Sequence, residues 1–299
     1  MLNILVFIKE VPDVRIPVEY HKVTGRVRHD WTVPMINPAD RAALSAALKV
    51  KERLPGCSVT VIHLGPESGE VLIREYLALG CDAGLRVWDD GFEELQPFTK
   101  ALIFSRVARI IGYDLICTGA RSQDTGNGQV GLLLASRLGT PCVTSVIDFD
   151  ISSGERVAKV TKMLARGYRA FIESPLPLVI GMESSKVGDL EPSLADTLKA
   201  SESKVPCWNL ADLGISRQLV IKTEGNLSLG ALKFPKSKLR FIPAPESTLP
   251  AFLRIKKLVE GTVSTREGRI VEGLEDQVIE ELFSTLLREG WLDHARKNT

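Results

Sequence analysis

"LIFSRVARIIGYDLICTGARSQDTGNGQVGLLLASRLG", residues 102–139, passes from helix to strand to helix within one short stretch. Up to Gly112 its apolar residues recur at helical spacing, "DLICTG" at 114–119 is a short apolar strand, and "LLLASRLG" at 132–139 resumes a helical pattern. A strand set between helices is the repeating unit of a parallel sheet. "NILVFIK" at 3–9 and "SVTVIHLG" at 58–65 have the same strand form. The alternation predicts an α/β fold, a doubly wound and mostly parallel sheet with helices on both faces. "NPAD" at 37–40 opens one of those helices: Asn37 is a residue type that caps free amides, and Pro38 suits a first helical position, where a missing N–H costs nothing. "GPE" at 65–67 starts another helix, which Gly80 stops, and "AGLRVWDD" at 83–90 is a further strand. "TPCVTSVIDFDI", "RVAKVTKML", "GYRAFIES" and "LPLVIGME", between 140 and 183, are extended pieces that finish or flank the sheet in an order the pattern does not fix. "RIPVEYHKVTGRVRHD" at 15–30 reads as a hairpin turning at Thr24-Gly25.

Gly126, Gly128 and Gly131 have Gly-x-Gly-x-x-Gly spacing. A dinucleotide fingerprint belongs at the first strand-to-helix turn. Here the first strand runs into "KEVPD" at 9–13, which has no glycine, so a nicotinamide-dependent dehydrogenase fails on placement. The absence of a Gly-Lys-Ser/Thr element argues against an ATPase of the P-loop type. The glycines either permit a tight turn or let a phosphate approach the free amides of the helix that follows. Three strand ends, "VFIKEV", "VIHLGP" and "ICTGARSQD", together with the helix start at Asn37-Pro38, are placed to enclose an adenosine.

Composition narrows the function classes. Thirty-eight basic against 37 acidic residues in 299 leave no charge excess for nucleic acid or anionic lipid. The five cysteines make no Cys-x-x-Cys pair and the four histidines have no i, i+4 spacing, so a metal site has no support. The cysteines read as buried thiols of a reducing compartment. The apolar runs are strand-sized, short of the roughly 20 residues of a membrane-spanning helix. No export signal is visible, and the expectation is a cytoplasmic protein. From about Ser185 the sequence turns polar and proline-punctuated, which reads as an arm or a set of loops. "LEDQVIEELFSTLLREGWL" at 274–292 then forms an amphipathic helix with Val278, Leu282, Leu286 and Leu287 on one face, to be buried on its own domain or on a partner. The expected division is a nucleotide-binding domain over 1–185 and, over 186–299, an extended arm, an insertion and a terminal helix for partner docking.

"LVFIKEVPD", "INPAD", "VIHLGPESGEVLIREYLALGCDAGLRV" and "DLICTGARSQDTGNGQVGLLLASRLGTP", in this order, resemble the β (small) subunit of electron transfer flavoprotein, and "DLG" at 212–214 and "EGRIVEG" at 267–273 extend the likeness. The resemblance implies a HUP-like adenine-nucleotide-binding sheet and a heterodimer with a flavin-carrying α subunit. It also implies a β-subunit nucleotide site holding AMP in ordinary members or a second FAD in electron-bifurcating ones. Matched to that site are Phe7, Asn37, Pro38, Ala39, Asp40 and Leu64, and the loop of Gly119, Ala120, Arg121, Ser122, Gln123, Asp124, Thr125, Gly126, Asn127, Gly128, Gln129 and Val130, with Gly131 closing the glycine run. The implied role is electron transfer with acyl-CoA dehydrogenase-like or membrane quinone-linked partners; the alternative is a structural AMP subunit whose partner holds all the flavin. Four departures stand out. Bifurcating members carry Asp-Gly-Asp-Thr-Ala-Gln-Val-Gly where this chain has "DTGNGQVG", and the resemblance leans to FAD through "QVG" and "EGRIVEG". In "KMLARGYRAFIESPLPLVI" at 162–180, Ala165, Arg166 and Arg169 replace residues that are usually acidic or small. The docking segment "EPSLADTLKASESK" at 191–204 is short, and the added sequence between Ile215 and Phe241 has no function in the family pattern.

Overall fold

The computed structural model describes residues 2–17, 19, 21, 32–90, 92, 95–152, 156–184, 191–224, 245–260, 273 and 275–288. The first strand, β1 (Leu2–Ile8), shows why the apolar runs are continuous rather than alternating. Ile4, Val6 and Ile8 enter a core on one face of the sheet, and Leu5 and Phe7 enter a second core on the other. A strand covered on both sides has no polar face to display. A small antiparallel pair follows, β2 (Glu10–Pro12) with β3 (Pro34–Ile36), at the base of the expected hairpin, whose turn at Thr24-Gly25 lies outside the described residues.

The chain continues through α1 (Pro38–Arg53), β4 (Cys57–Leu64), α2 (Glu70–Ala78), β5 (Ala83–Val87), α3 (Pro97–Ile111), β6 (Leu115–Gly119) and α4 (Val130–Leu138). It then forms β7 (Cys142–Ile151), β8 (Val157–Met163), β9 (Arg169–Pro175), β10 (Leu178–Met182), α5 (Leu194–Ser201), β11 (Cys207–Trp208) and α6 (Arg217–Glu224). Nine of these strands make one sheet in the order β11-β5-β4-β1-β6-β10-β7-β8-β9. From β11 to β7 every pairing is parallel, and β7, β8 and β9 form an antiparallel extension at one edge. This is the doubly wound, mostly parallel α/β fold that the sequence predicts.

Helix composition explains the layers. α1 buries Ala42, Ala43, Ala46 and Ala47, small side chains that let it lie close to the sheet, and its Leu44 and Leu48 join Ile73 and Tyr76 of α2 in one core. On the opposite face Leu102, Phe104 and Val107 of α3 meet Leu134 and Ala135 of α4. The same core takes in Leu210, Leu213 and Ile215, so the proline-punctuated stretch returns to the sheet instead of remaining off it. Pro38 stands in the first turn of α1 as its sequence implies. Cys57, Cys81 and Cys117 are buried free thiols, Cys142 is half-buried, and Cys207, expected inside, is exposed because β11 is an edge strand.

The described chain divides into two compact units, residues 1–234 and 235–299. In the second, α7 (Ala251–Glu260) and α8 (Glu275–Arg288) are amphipathic helices, and no residue of α8 is buried. Among the described residues no helix is long and apolar enough to cross a membrane.

Candidate functional site

β1 lies between β4 and β6, with Phe7 beside Ile62, Ile8 beside His63, and Val6 beside Cys117. From β1 the chain builds outward through β4 and β5; from β6 it builds the other way. The connections therefore diverge beyond the carboxyl ends of β1 and β6, and divergence of this kind leaves a crevice.

The first turn of α1 enters that crevice and ties its walls together. The Asp40 carboxylate accepts the Lys9 N–H at 2.8 Å, just past β1, and the Gly119 N–H at 2.7 Å, at the end of β6. Asp40 is buried, and loss of solvent pushes its pKa up to about 7 against the hydrogen bonds from Lys9, Asn37 and Gly119, which act to lower it. A Cβ on Gly119 would stand 2.3 Å from the Asp40 Oδ1, so only glycine admits this carboxylate.

Asn37, also buried, does not cap its own helix. Its side chain crosses to the glycine loop instead: Nδ2 donates to the Arg121 carbonyl at 3.1 Å, and Oδ1 accepts the Gln123 N–H at 3.0 Å. A second tether comes from Lys9, whose ammonium pairs with the Asp124 carboxylate and lies 3.5 Å from the Ser122 hydroxyl. Partial burial raises the Asp124 pKa, but hydrogen bonds from Lys9, Ser122 and the Thr125 amide outweigh it and hold the carboxyl below its ordinary value. The Ala120 N–H donates to the Met182 carbonyl, fixing the loop's start to β10.

The glycines then turn the chain into α4. Gly126 and Gly128 adopt φ of 64° and 61°, the left-handed region, and a Cβ on Gly128 would meet the Ala120 carbonyl at 3.1 Å. A Cβ on Gly131 would fall 2.8 Å from the Thr118 hydroxyl. α4 has no side-chain cap from Gln129 and no acidic residue in its first turn. Among the described residues its leading amides therefore have no side-chain cap, and its first turn brings no carboxylate to offset the helix dipole. Such a loop suits phosphate.

The structure brings Asn37, Asp40, Gly119, Arg121, Ser122, Gln123 and Asp124 into one bonded cluster, with Gly126, Gly128 and Gly131 completing the turn into α4. Pro38 and Ala39 lie in the first turn of α1, and Thr125, Asn127, Gln129 and Val130 follow the loop into α4. Phe7 differs from its neighbours: its buried ring contacts Phe104 with centroids 4.3 Å apart, so β1 offers the crevice its main chain rather than that ring. Leu64 is half-buried against the same apolar cluster. Lys9 is the residue that sequence reasoning passes over. A lone cation directly after the first strand was its only signal, and Asp124 lies more than a hundred residues away in the chain.

A family model for the electron transfer flavoprotein domain matches residues 32–212. The "Caffeyl-CoA reductase-Etf complex subunit CarD" of Acetobacterium woodii is 31% identical over 216 residues, covering 72% of this chain and 81% of that protein. An "Electron transfer flavoprotein subunit beta" of Thermoanaerobacterium thermosaccharolyticum is 34% identical over 179 residues, 60% of this chain and 67% of its own length. The "Protein FixA" of Azotobacter vinelandii is 29% identical over 249 residues, covering 79% and 86% of the two chains.

Proposed function

The chain belongs to the electron transfer flavoprotein family as a β-type subunit, and from that premise we propose that the crevice beyond β1 and β6 holds the adenosine and phosphate portion of FAD. The observation that carries this reading is the tethered glycine loop. Asn37 and Lys9 hold it from two different elements, and it delivers uncapped α4 amides through a turn in which Gly128 lies so close to the Ala120 carbonyl that a side chain there would distort the loop. Charge agrees with the assignment: the first turn of α4 contains no acidic residue, and the nearby Asp124 carboxylate is paired with Lys9.

The residues divide by task. Main-chain amides from Gly126 to Gly131 would hold phosphate; the main chain at the end of β1 and the half-buried Leu64 would line the adenine end. Asp40 and Asn37 are positioning residues, because the hydrogen bonds that they make run to protein main chain. When bound, the flavin supplies an electron carrier; the protein supplies placement. No side chain here needs to act as a general acid or base.

The family implies a flavoprotein pair with an α-type partner. In this reading residues 1–185 carry the nucleotide and 186–299 engage that partner, passing electrons to or from acyl-CoA dehydrogenase-like or quinone-linked proteins. The name of the Acetobacterium relative, a subunit of a caffeyl-CoA reductase complex, favours an acyl-CoA-type redox partner. The test is to purify the pair, extract its nucleotides and count them. Two FAD per pair are expected. One FAD with one AMP assigns the crevice a structural nucleotide and overturns FAD there, and a pair with a single nucleotide overturns the site.

A further inference from the structure

His63 is a buried titratable side chain that the phosphate loop does not use. It stands directly before Leu64 at the end of β4, is 2% exposed, and lies opposite Ile8 in the β1–β4 ladder. Its Nδ1 is 3.4 Å from the Ile8 carbonyl. A carbonyl only accepts, so the ring proton sits on Nδ1. Burial pushes the pKa down to about 4, with the Arg86 charge adding to it and the Ile8 bond opposing it, and the ring is neutral near pH 7. Nε2 then carries a lone pair, and among the described residues it has no hydrogen-bond partner.

Two glycines face that nitrogen. A Cβ would stand 2.2 Å from Nε2 at Gly65 and 2.3 Å from it at Gly69, the residue before α2. Neither glycine has a left-handed backbone, and Gly69 has φ of −72°, a value that alanine adopts at lower entropic cost. The missing side chains therefore make room for the ring, and the turn from Leu64 to Gly69 is moulded on it. An apolar side chain would fill this nest without burying an unpaired nitrogen, which is costly. What histidine adds is the Nδ1 bond to the end of β1.

We propose that His63 is a positioning residue for the base end of the crevice: it holds the Ile8 carbonyl and the Leu64 turn at a fixed separation, so that the two meet an adenine as preformed walls. The inference rests on the crevice reading for what lies between these walls; the nest rests on the ring and its glycines alone.

The test uses AMP, the adenosine-phosphate part of FAD, titrated calorimetrically into the full chain stripped of nucleotide, as wild type, H63N, H63Q and H63L. Asn carries an amide donor where Nδ1 stands, Gln carries one where Nε2 stands, and Leu has none. H63L and H63Q should bind AMP at least about fivefold more weakly, the loss of one hydrogen bond, and H63N within about twofold of wild type. Thermal midpoints should not follow that order, because H63L removes the unpaired nitrogen along with the bond. Equal binding by wild type and H63L, or equal weakening in H63N and H63Q, overturns the positioning role, and so does affinity that tracks the thermal midpoints through all four proteins. Where H63L does not fold, the contrast between H63N and H63Q decides. G69A should lower the thermal midpoint of the wild type but not that of H63A, and an equal drop in both backgrounds overturns the nest. A wild-type chain that binds no AMP defeats the crevice reading and this inference together; AMP bound equally by all four proteins defeats this inference alone.

Discussion

Asn37 and Lys9 reach one loop from different elements, and their removal has separable effects. Asn37→Ala deletes two hydrogen bonds to loop main chain and leaves the Gln123 amide without its acceptor. At about 1 kcal/mol per bond, nucleotide affinity should drop roughly tenfold or more, measurable by calorimetric titration of the stripped protein. Gly128→Val is harsher, because the new side chain meets the Ala120 carbonyl and forces a β-branched residue into the left-handed region. This variant should purify without nucleotide in the crevice, whereas Cys142→Ala stays loaded; stoichiometric nucleotide in the Gly128 variant would contradict the placement of the phosphate. Asp124→Ala should be milder than either, since it removes a loop tether that Asn37 duplicates. The Lys9–Asp124 contact survives ordinary acidification, because a carboxyl held below its usual value loses its charge only as pH falls through that lowered value.

Among the elements, α1 is the one that joins two strands to the loop, and its Asp40 makes the joint sensitive to pH. Burial raises the folded-state pKa to about 7, above the ordinary value of about 3.9, so between these values the native protein retains a proton that the unfolded chain has released. Stability therefore declines as pH rises through that window and levels off above it. Asp40→Asn removes the titration, and its calorimetric melting profile should be flatter than wild type between about pH 4 and pH 7. Identical profiles would show that Asp40 does not titrate there. α1 also marks how far the sequence could be read. Pro38 announced the start of the helix, a local signal, whereas the close packing of its alanines on the sheet emerged only from the structure. The use of Asn37 was hidden, because its type suits capping equally well and only the approach of residues 121–123 redirects it. The glycine spacing announced the loop, yet Lys9 needed the third dimension. β11 was illegible for a different reason: two residues of strand have no periodicity, and only the edge of β5 makes Cys207 and Trp208 a strand. The order of β7 to β10 was likewise hidden, because β10 inserts between β6 and β7 through long-range pairing.

At the scale of the whole molecule, both units display apolar side chains that a solitary chain leaves wet. Phe252 and Ile255 of α7 are 74% and 62% exposed, and Ile279, Leu282 and Phe283 of α8 are each more than half exposed. Amide hydrogen exchange across 275–288 should be fast in the isolated chain and slow many-fold once the large subunit is added. Exchange that is already slow in the isolated chain would show that α8 is stable without a partner. The asymmetry of the sheet carries a consequence of its own. One margin ends in β11, two residues long, while the other ends in β9, seven residues with one side of its peptide ladder unpaired among the described residues. Arg169, Glu173 and Pro175 only partly blunt that margin as a template for another strand. An orphan subunit should therefore lose its working life by strand-to-strand accretion starting at β9, which makes simultaneous synthesis of both subunits a safeguard against precipitation as well as a route to assembly.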